Sequence, residues 1–431
     1  MSTPDQPLRT ANIVTEPFLR PATGPGGGIH YGWWIVLASI FSIFVSIGVG
    51  RLALGMVLPA MGDALNLNYV QMGWISTANF IGYLLGALYV RRLLPRHGER
   101  RLVAMSLILV VGSMAGVAMA SGFITILILY SLTGLGSGIA FVCTLSLLPH
   151  WFATTWRGRA VGFGAGGMGL AIMLAGWAVP LANSEMGEAG WRLCWGGLAA
   201  ICLPLAIFCL VVMRNRPLEL GLAPYGEAAA NDGEPAKSVG SSRPDFNLRK
   251  VIPRLGAVYF LFGATYVVYG TFIVTTLMRE HGMAEAEAGR FWILLGIFSL
   301  FGGTVLGAFS DRMGRRAGIA LSLFLQGSAY ALISYGSGAV AVYLSICLYG
   351  LSAFGVPVIM SATVADYASP QRAAAVFGTI TAIFGVGQML GPVLAGVMAE
   401  YSGSFTSGYL ASVSLVAVAI AITLTLPDPP S

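Results

Sequence analysis

Charge is scarce in this sequence: lysine, arginine, aspartate and glutamate make up only 10% of its 431 residues, where soluble domains carry about 25%. With 56% hydrophobic residues and a mean hydropathy of +0.78, a water-soluble fold is excluded. Acid is scarcer still, because no aspartate or glutamate falls inside any of the long apolar runs. The five cysteines (Cys143, Cys194, Cys202, Cys209 and Cys347) lie in apolar stretches without a CxxC pair or a secreted-domain spacing, and are expected to be inert packing residues. There is no His/Cys metal cluster, Walker loop, paired-carboxylate site or nucleophile elbow. No metal, no cofactor and no enzymatic activity are therefore expected, and any driving force has to come from a gradient. Gly164-Ala-Gly166-Gly-Met-Gly169 matches GxGxxG, but it lies in an apolar run with no strand before it and no acid at the expected offset. It is read as a helix-packing seam, in keeping with 57 glycines spread through apolar segments.

What is present is a series of runs long enough to cross a bilayer, which takes about 20 apolar residues each. Twelve are counted: Trp33–Met61, Tyr69–Val90, Leu102–Ala120, Phe123–Leu148, Ala160–Asn183 and Leu193–Met213, then Pro253–Met278, Ala288–Ser310, Ala317–Tyr335, Ala339–Val364, Ala373–Ala399 and Phe405–Leu426. The expected fold is an all-α polytopic membrane protein with twelve transmembrane helices. Its organisation is a cytoplasmic tail over 1–32, a six-helix bundle over 33–213, a polar linker over 214–252, a second six-helix bundle over 253–426 and a short tail over 427–431. The first 28 residues have no short apolar core before a small-residue cleavage site, so the first span is expected to serve as its own insertion signal. A short amphipathic helix in the linker is compatible with its composition.

Orientation follows the basic residues. Of 24 lysines and arginines, 20 fall on the N-terminal tail and on loops of one side, three (Arg192, Arg279, Arg290) on the other, and Arg51 inside a span. Both termini are accordingly expected in the cytoplasm of a bacterial cell, with the protein in the inner membrane. The pI of 9.1 is explained by loops facing anionic lipid, without nucleic acid.

The halves repeat. Gly82-Tyr-Leu-Leu-Gly86-Ala87 before an Arg-rich turn is answered by Gly303-Thr-Val-Leu-Gly307-Ala308 before Asp311-Arg312-Met313-Gly314-Arg315-Arg316. Trp156-Arg-Gly-Arg-Ala-Val-Gly162 is answered by Pro370-Gln-Arg-Ala-Ala-Ala-Val-Phe-Gly378. Two parallel repeats of six spans imply a transporter whose site lies between pseudo-symmetric halves near the bilayer midplane.

At these residues the sequence resembles the major facilitator superfamily over essentially its whole length. Gly307-Ala-Phe-Ser-Asp311-Arg-Met-Gly314-Arg-Arg316 looks like the loop signature of that family, while Val90 stands where the first-half signature would have Asp. Tyr31-Gly-Trp-Trp34, Gly50-Arg51 with Pro59, Tyr266-Val-Val-Tyr269-Gly-Thr271-Phe272, Gly387-Gln388-Met-Leu-Gly391-Pro392 and Gly403-Ser-Phe405 are similar to the bacterial branch related to monocarboxylate and oxalate carriers, of YbfB/YjiJ type. The better-known monocarboxylate carriers place Asp and Arg inside the eighth span, yet Ile293–Phe309 carries no charge. Arg51 looks instead like the first-span arginine of organic-phosphate carriers.

Arg51 lies ~27 Å along its helix from Trp33 at 1.5 Å per residue, where an ionised group costs at least ~2.5 kcal/mol unless it meets a partner or water. The functional reading is an anchor gripping a carboxylate bidentately, so that the solute supplies the missing negative charge. The bland readings are bonds to helix carbonyls or snorkelling to the surface. Tyr266, Tyr269 and Thr271, with Thr275 one turn on, share a face of the seventh span and are expected opposite Arg51; interhelical bonds are the plain alternative. Asn79, Tyr83, Trp292, Tyr349 and Gln388 are weaker candidates for the same cavity. His150 at the end of the fourth span is a candidate proton relay, against the more common case of a loop histidine among aromatics. Asp311, Arg312, Arg315 and Arg316, with Arg91 and Arg92, are expected to form an inner-face ion network that gates the carrier, although surface charge alone accounts for such a pattern.

The expected activity is secondary transport of a small organic anion by a monomer, taken up with a proton by resemblance to the monocarboxylate branch. Exchange of anions and uncoupled facilitation stay open, because no intramembrane acid is found. Two rivals are proton-coupled drug efflux, which favours an acidic cavity, and a transport-inactive sensor, which binds without flux.

Overall fold

The computed structural model describes residues 29–226, 248–336, 338–368 and 370–427. The expected tail over 1–32 therefore lies almost wholly outside the described residues, as do 227–247 of the linker and 428–431 of the C-terminal tail. Among the described residues the chain is helical, and the only β pairing is an isolated parallel bridge between Phe152 and Tyr225. Ten stretches are long and apolar enough to cross a membrane, which makes this a multi-pass membrane protein.

The first stretch runs as α1 (Tyr31–Ile43), a π-helix (Phe44–Leu52) and α2 (Leu54–Ala64). Next come α3 (Tyr69–Met119), α4 (Phe123–Leu147), α5 (Thr154–Met186) and α6 (Gly190–Val212). After the linker follow α7 (Leu248–Arg279), α8 (Glu285–Met313), α9 (Arg315–Tyr335), α10 (Ala339–Ala353), α11 (Gly355–Tyr367), α12 (Pro370–Ser402) and α13 (Thr406–Leu424).

Two of the ten stretches exceed one bilayer crossing. At 1.5 Å per residue α3 is ~77 Å long, against a hydrocarbon core of ~30 Å. It is broken at Gly98, whose φ of 72° suits glycine alone, and the Asn215 side chain accepts from the Arg100 N–H at 2.9 Å to restart the helix. The stretch Thr155–Val212 is interrupted by the 3-10 turn Gly187–Ala189, with Gly187 at φ 55°.

Helices approach closely where small residues meet. A Cβ at Gly134 on α4 would sit 2.0 Å from the Asn79 carbonyl oxygen on α3. The GxGxxG run of α5 is likewise a contact seam, since a Cβ at Gly167 would fall 2.2 Å from the Ile40 carbonyl oxygen.

Among the contacts that join the first half of the chain to the second are Arg279 Nη2 to Asp63 Oδ1 at 2.5 Å, Tyr69 N–H to Glu400 Oε2 at 2.9 Å, and Asn183 Nδ2 to Glu285 Oε1 at 2.5 Å. They tie α2 to α7, α3 to α12 and α5 to α8.

Candidate functional site

Arg51 sits in the π-helix, a segment in which the Ala53 N–H reaches back five residues to the Gly48 carbonyl at 3.2 Å. π-segments recur at functional sites because the wider turn re-aims side chains, and no residue pattern in Phe44–Leu52 signals it. The guanidinium is half-buried and lies over the Phe80 ring, 4.0 Å from its centroid, with the Tyr83 ring at 4.8 Å. Cation–π contacts of this kind offset part of the desolvation of the charge. Nη2 donates to the Tyr266 hydroxyl at 3.2 Å, and no carboxylate lies within ion-pair distance among the described residues. Of five N–H donors on a planar fork, one has a protein acceptor.

These groups face a cleft of about 560 Å³, its open mouth included. Its polar wall comprises Arg51, Ser76, Asn79, Tyr130, Tyr266, Thr271 and Tyr349, and its apolar wall includes Leu54, Phe80, Ile172, Trp292, Leu295 and Phe354. The helices that contribute are drawn from both sides of the linker.

Tyr266 is held rigidly. Its ring stacks on Phe262 at 4.9 Å between centroids and on Phe384 at 5.8 Å, and its carbonyl accepts from the Tyr349 hydroxyl at 2.6 Å. The Tyr266 oxygen accepts from Arg51 and also from Gln388 Nε2. An oxygen that accepts twice keeps its own proton available to donate. Arg51 and Tyr266 thus present donors at one point of the wall, the requirement for holding a carboxylate.

The other expected residues divide. Thr271 lines the cleft with its hydroxyl 3.0 Å from that of Ser76. Asn79 lines it while donating through Nδ2 to the Gly50 and Tyr130 carbonyls, both at 3.2 Å. Trp292 and Tyr349 belong to the wall as well. Tyr83 and Gln388 touch the site through Arg51 and Tyr266 instead of lining it. Tyr269 and Thr275 are not brought to the cleft. Both are fully buried, and the Tyr269 hydroxyl is 2.7 Å from Ser345 Oγ among the helices after the linker.

His150 sits on a 3-10 turn, Leu148–Trp151, and is not among the residues that line the cleft. Arg315 bridges Asp311 at 2.5 Å and Asp366 at 2.6 Å, contacts made within the second half of the chain. Arg312 and Arg91 are exposed, and Arg92 lies 5.7 Å from the centroid of the Tyr89 ring.

Sequence reasoning missed Ser76, Phe80 and Tyr130. The first two had a signal, since 76, 79, 80 and 83 share one helix face. Tyr130, whose hydroxyl donates to the Arg51 carbonyl at 3.1 Å, had none.

The family described as "Uncharacterised MFS-type transporter YbfB" matches residues 43–424. The 3-(3-hydroxy-phenyl)propionate transporter of Escherichia coli (strain K12) is 27% identical over 388 residues, covering 88% of this chain and 90% of that protein. The hexuronate transporter of Bacillus subtilis (strain 168) is 22% identical over 385 residues, covering 86% and 88%. Among solved structures, a bacterial homologue of the human lysosomal transporter Spinster, inward-facing and unoccupied, superposes with a TM-score of 0.72 over 93% of this chain and 97% of its own at 16% identity, a likeness of fold. A family match spanning nearly all the described helices, beside relatives aligned end to end, makes the conclusion direct: the chain belongs to the YbfB-type transporters of the major facilitator superfamily and is not an enzyme.

Proposed function

We propose that this protein moves a small organic anion, a carboxylate, across the bacterial inner membrane by alternating access, together with a proton. In this reading α3 supplies two passes on either side of Gly98, and α5 and α6 supply one each. That makes twelve spans in two six-helix bundles, with the arginine-rich loops and both termini in the cytoplasm. The transporter acts as a monomer.

The observation that carries the proposal is the Arg51 guanidinium, which faces an interior cleft with no acid to balance it. A buried cation is stable when a counter-charge arrives, and here the solute brings it. The two oxygens of a carboxylate can accept two N–H donors of the guanidinium that have no protein acceptor among the described residues, with the Tyr266 proton as a further donor. Both relatives named above are transporters of organic acids, one aromatic and one a sugar acid, and the carboxylate is what those solutes share. Closing the halves over a neutralised Arg51 and releasing the Asp63–Arg279 end then exchanges access between the two faces.

Exchange of one anion for another is a second reading, favoured by the cleft wall itself, which includes no Asp, Glu or His to carry a proton. Proteoliposomes given a radiolabelled carboxylate on the outside distinguish the two. A proton-coupled carrier concentrates label in response to a pH gradient, whereas an exchanger does so only when an anion is present on the far side. No Arg51-dependent flux of any carboxylate in either arm overturns the proposal.

A further inference from the structure

We propose that Gln388 is a positioning residue for the solute, fixing the Tyr266 hydroxyl as a donor toward the carboxylate, a role that rests on the reading of Arg51 as the anion anchor. Gln388 itself is 1% exposed and is not among the residues that line the cleft.

Packing does not account for an amide at this place. Its helix, α12, meets α7 backbone to backbone. A Cβ at Gly263 would stand 2.6 Å from the Phe384 carbonyl oxygen, one at Gly387 2.3 Å from that of Phe260, and one at Gly391 2.2 Å from that of Ala264. Close approach through glycine already joins the two helices. A primary amide buried beside such a seam loses its water and is costly unless its donors are used.

The donor is used on Tyr266. Gln388 Nε2 donates to the Tyr266 hydroxyl oxygen, the same atom that accepts from Arg51 Nη2 at 3.2 Å. The ring cannot turn away, because it stacks on Phe262 with centroids 4.9 Å apart and lies at 13° to Phe384 with centroids 5.8 Å apart. With the ring held, the hydroxyl hydrogen is the freedom that remains. Bonds from Gln388 and Arg51 fill both acceptor positions of the oxygen, which directs the hydrogen elsewhere. Among the described residues that hydrogen has no protein acceptor, and Tyr266 belongs to the cleft wall.

Without the amide, one acceptor position of Tyr266 is empty and the hydroxyl is free to rotate. A donor fixed in advance holds a charge more tightly than one that must first be ordered. Gln388 thus acts on the solute through a second side chain, as the group that sets the polarity of the Tyr266 hydroxyl.

The test is equilibrium binding of radiolabelled benzoate and glucuronate to the full-length protein in lipid nanodiscs. It compares the wild type with Arg51→Ala, Gln388→Met, Gln388→Glu, Tyr266→Phe and the double variant Gln388→Met with Tyr266→Phe. Gln388→Met keeps the length of the side chain and removes the donor. Affinity is expected to fall about fivefold in the wild-type background and by less than about twofold where Tyr266 is already phenylalanine, since the amide acts through that hydroxyl. Gln388→Glu gives a readout that packing alone would not move. When ionised, its carboxylate accepts the Tyr266 hydrogen and offers Arg51 an internal counter-charge, so binding at pH 8 should fall more than about tenfold. When protonated, its O–H donates as the amide does, so the loss should shrink toward pH 5.5, where both probes are still ionised. Should Gln388→Met not fold, the pH profile of Gln388→Glu decides. If Gln388→Met costs as much with the Tyr266 hydroxyl as without it, or Gln388→Glu binds as the wild type at pH 8 or shows the same loss at pH 5.5, the positioning role is overturned; loss of binding in Arg51→Ala then leaves the anion anchor standing. If neither probe binds the wild type, or binding survives Arg51→Ala, the anchor falls and takes the positioning role with it.

Discussion

Replacing Arg51 by alanine separates a binding role from a structural one, because the two predict opposite effects on the empty protein. Structurally the guanidinium makes one hydrogen bond, to Tyr266 at 3.2 Å, and stacks on Phe80. Against these stands the cost of keeping an unpaired cation within the membrane, about 2.5–3.5 kcal/mol at a helix centre. The cation–π contact returns about 0.5–2 kcal/mol and the hydrogen bond about 1 kcal/mol. The balance is near zero or unfavourable, so the empty Arg51→Ala protein should unfold at the same temperature as the wild type or a few degrees higher. Binding should behave in the other direction. Two charge-assisted hydrogen bonds to a carboxylate at about 1.5–3 kcal/mol each amount to at least a hundredfold in affinity at 1.4 kcal/mol per factor of ten. Arg51→Lys keeps the charge and loses the fork and the stacking, so an intermediate loss of about tenfold is expected. Thermal unfolding of purified protein across a panel of carboxylates reads both quantities at once. A lower unfolding temperature in the empty alanine variant, with ligand shifts retained, would show that Arg51 is interhelical glue and refute the reasoning.

Three further outcomes follow from other parts of the molecule. The Asp63–Arg279 pair is largely exposed, at 28% for the arginine side chain and 66% for the aspartate, so a double-mutant cycle of Asp63→Asn and Arg279→Ala should give a coupling of about 1 kcal/mol or less. Because the pair ties α2 to α7, either variant should still raise labelling of a cysteine placed at Ser76 from that end, and unchanged labelling would remove the pair from any gate. Gly134→Val should lower stability by about 1–3 kcal/mol through overpacking, because a Cβ there meets the Asn79 carbonyl at 2.0 Å; the loss of folded yield and of carboxylate binding together checks it. His30 is buried, which holds its pKa below 6.5 against the raising effect of its bond to the Ala223 carbonyl. Its Nδ1 accepts from Gly32 N–H at 3.0 Å while Nε2 donates to Ala223 at 3.1 Å, so a second proton breaks the cap of α1. Below pH 6.5 the unfolded histidine takes up a proton before the folded one, so the contribution is complete above that pH and is lost as the pH falls. Protection factors of the amides at Gly32 and 222–225, corrected for intrinsic exchange, should fall from pH 7.5 to 5.5, and the fall should vanish in His30→Asn.

The likeness between sequence reading and structure is uneven in an instructive way. Arg51 and Tyr266 were legible because a lone cation and a hydroxyl at matching depth in an apolar chain are rare enough to demand a use, and both meet in the cleft. Tyr269 misled, since it shares a helix with Tyr266 and differs by three residues, yet its hydroxyl turns to Ser345. Helical periodicity says which residues share a face and leaves open which neighbour that face meets. The break in α3 was legible as an Arg-rich turn, whereas the continuity of helix up to Gly98 was not, because lipid-depth arguments count apolar residues and ignore flanking helix.

The amino-acid sequence by itself determined that this chain lives in a bilayer, that its apolar runs are rich in glycine, and that Arg51 falls within an apolar run free of acids. Those follow from composition and one-dimensional order, since the cost of exposing backbone or charge to hydrocarbon holds for any arrangement of the helices. Tertiary structure alone decided that the guanidinium lies between Phe80 and Tyr266, and that Asp63 finds Arg279. Each of those depends on residues more than 25 positions apart meeting at a few ångströms, and such meetings are set by how helices cross, which local propensity does not encode.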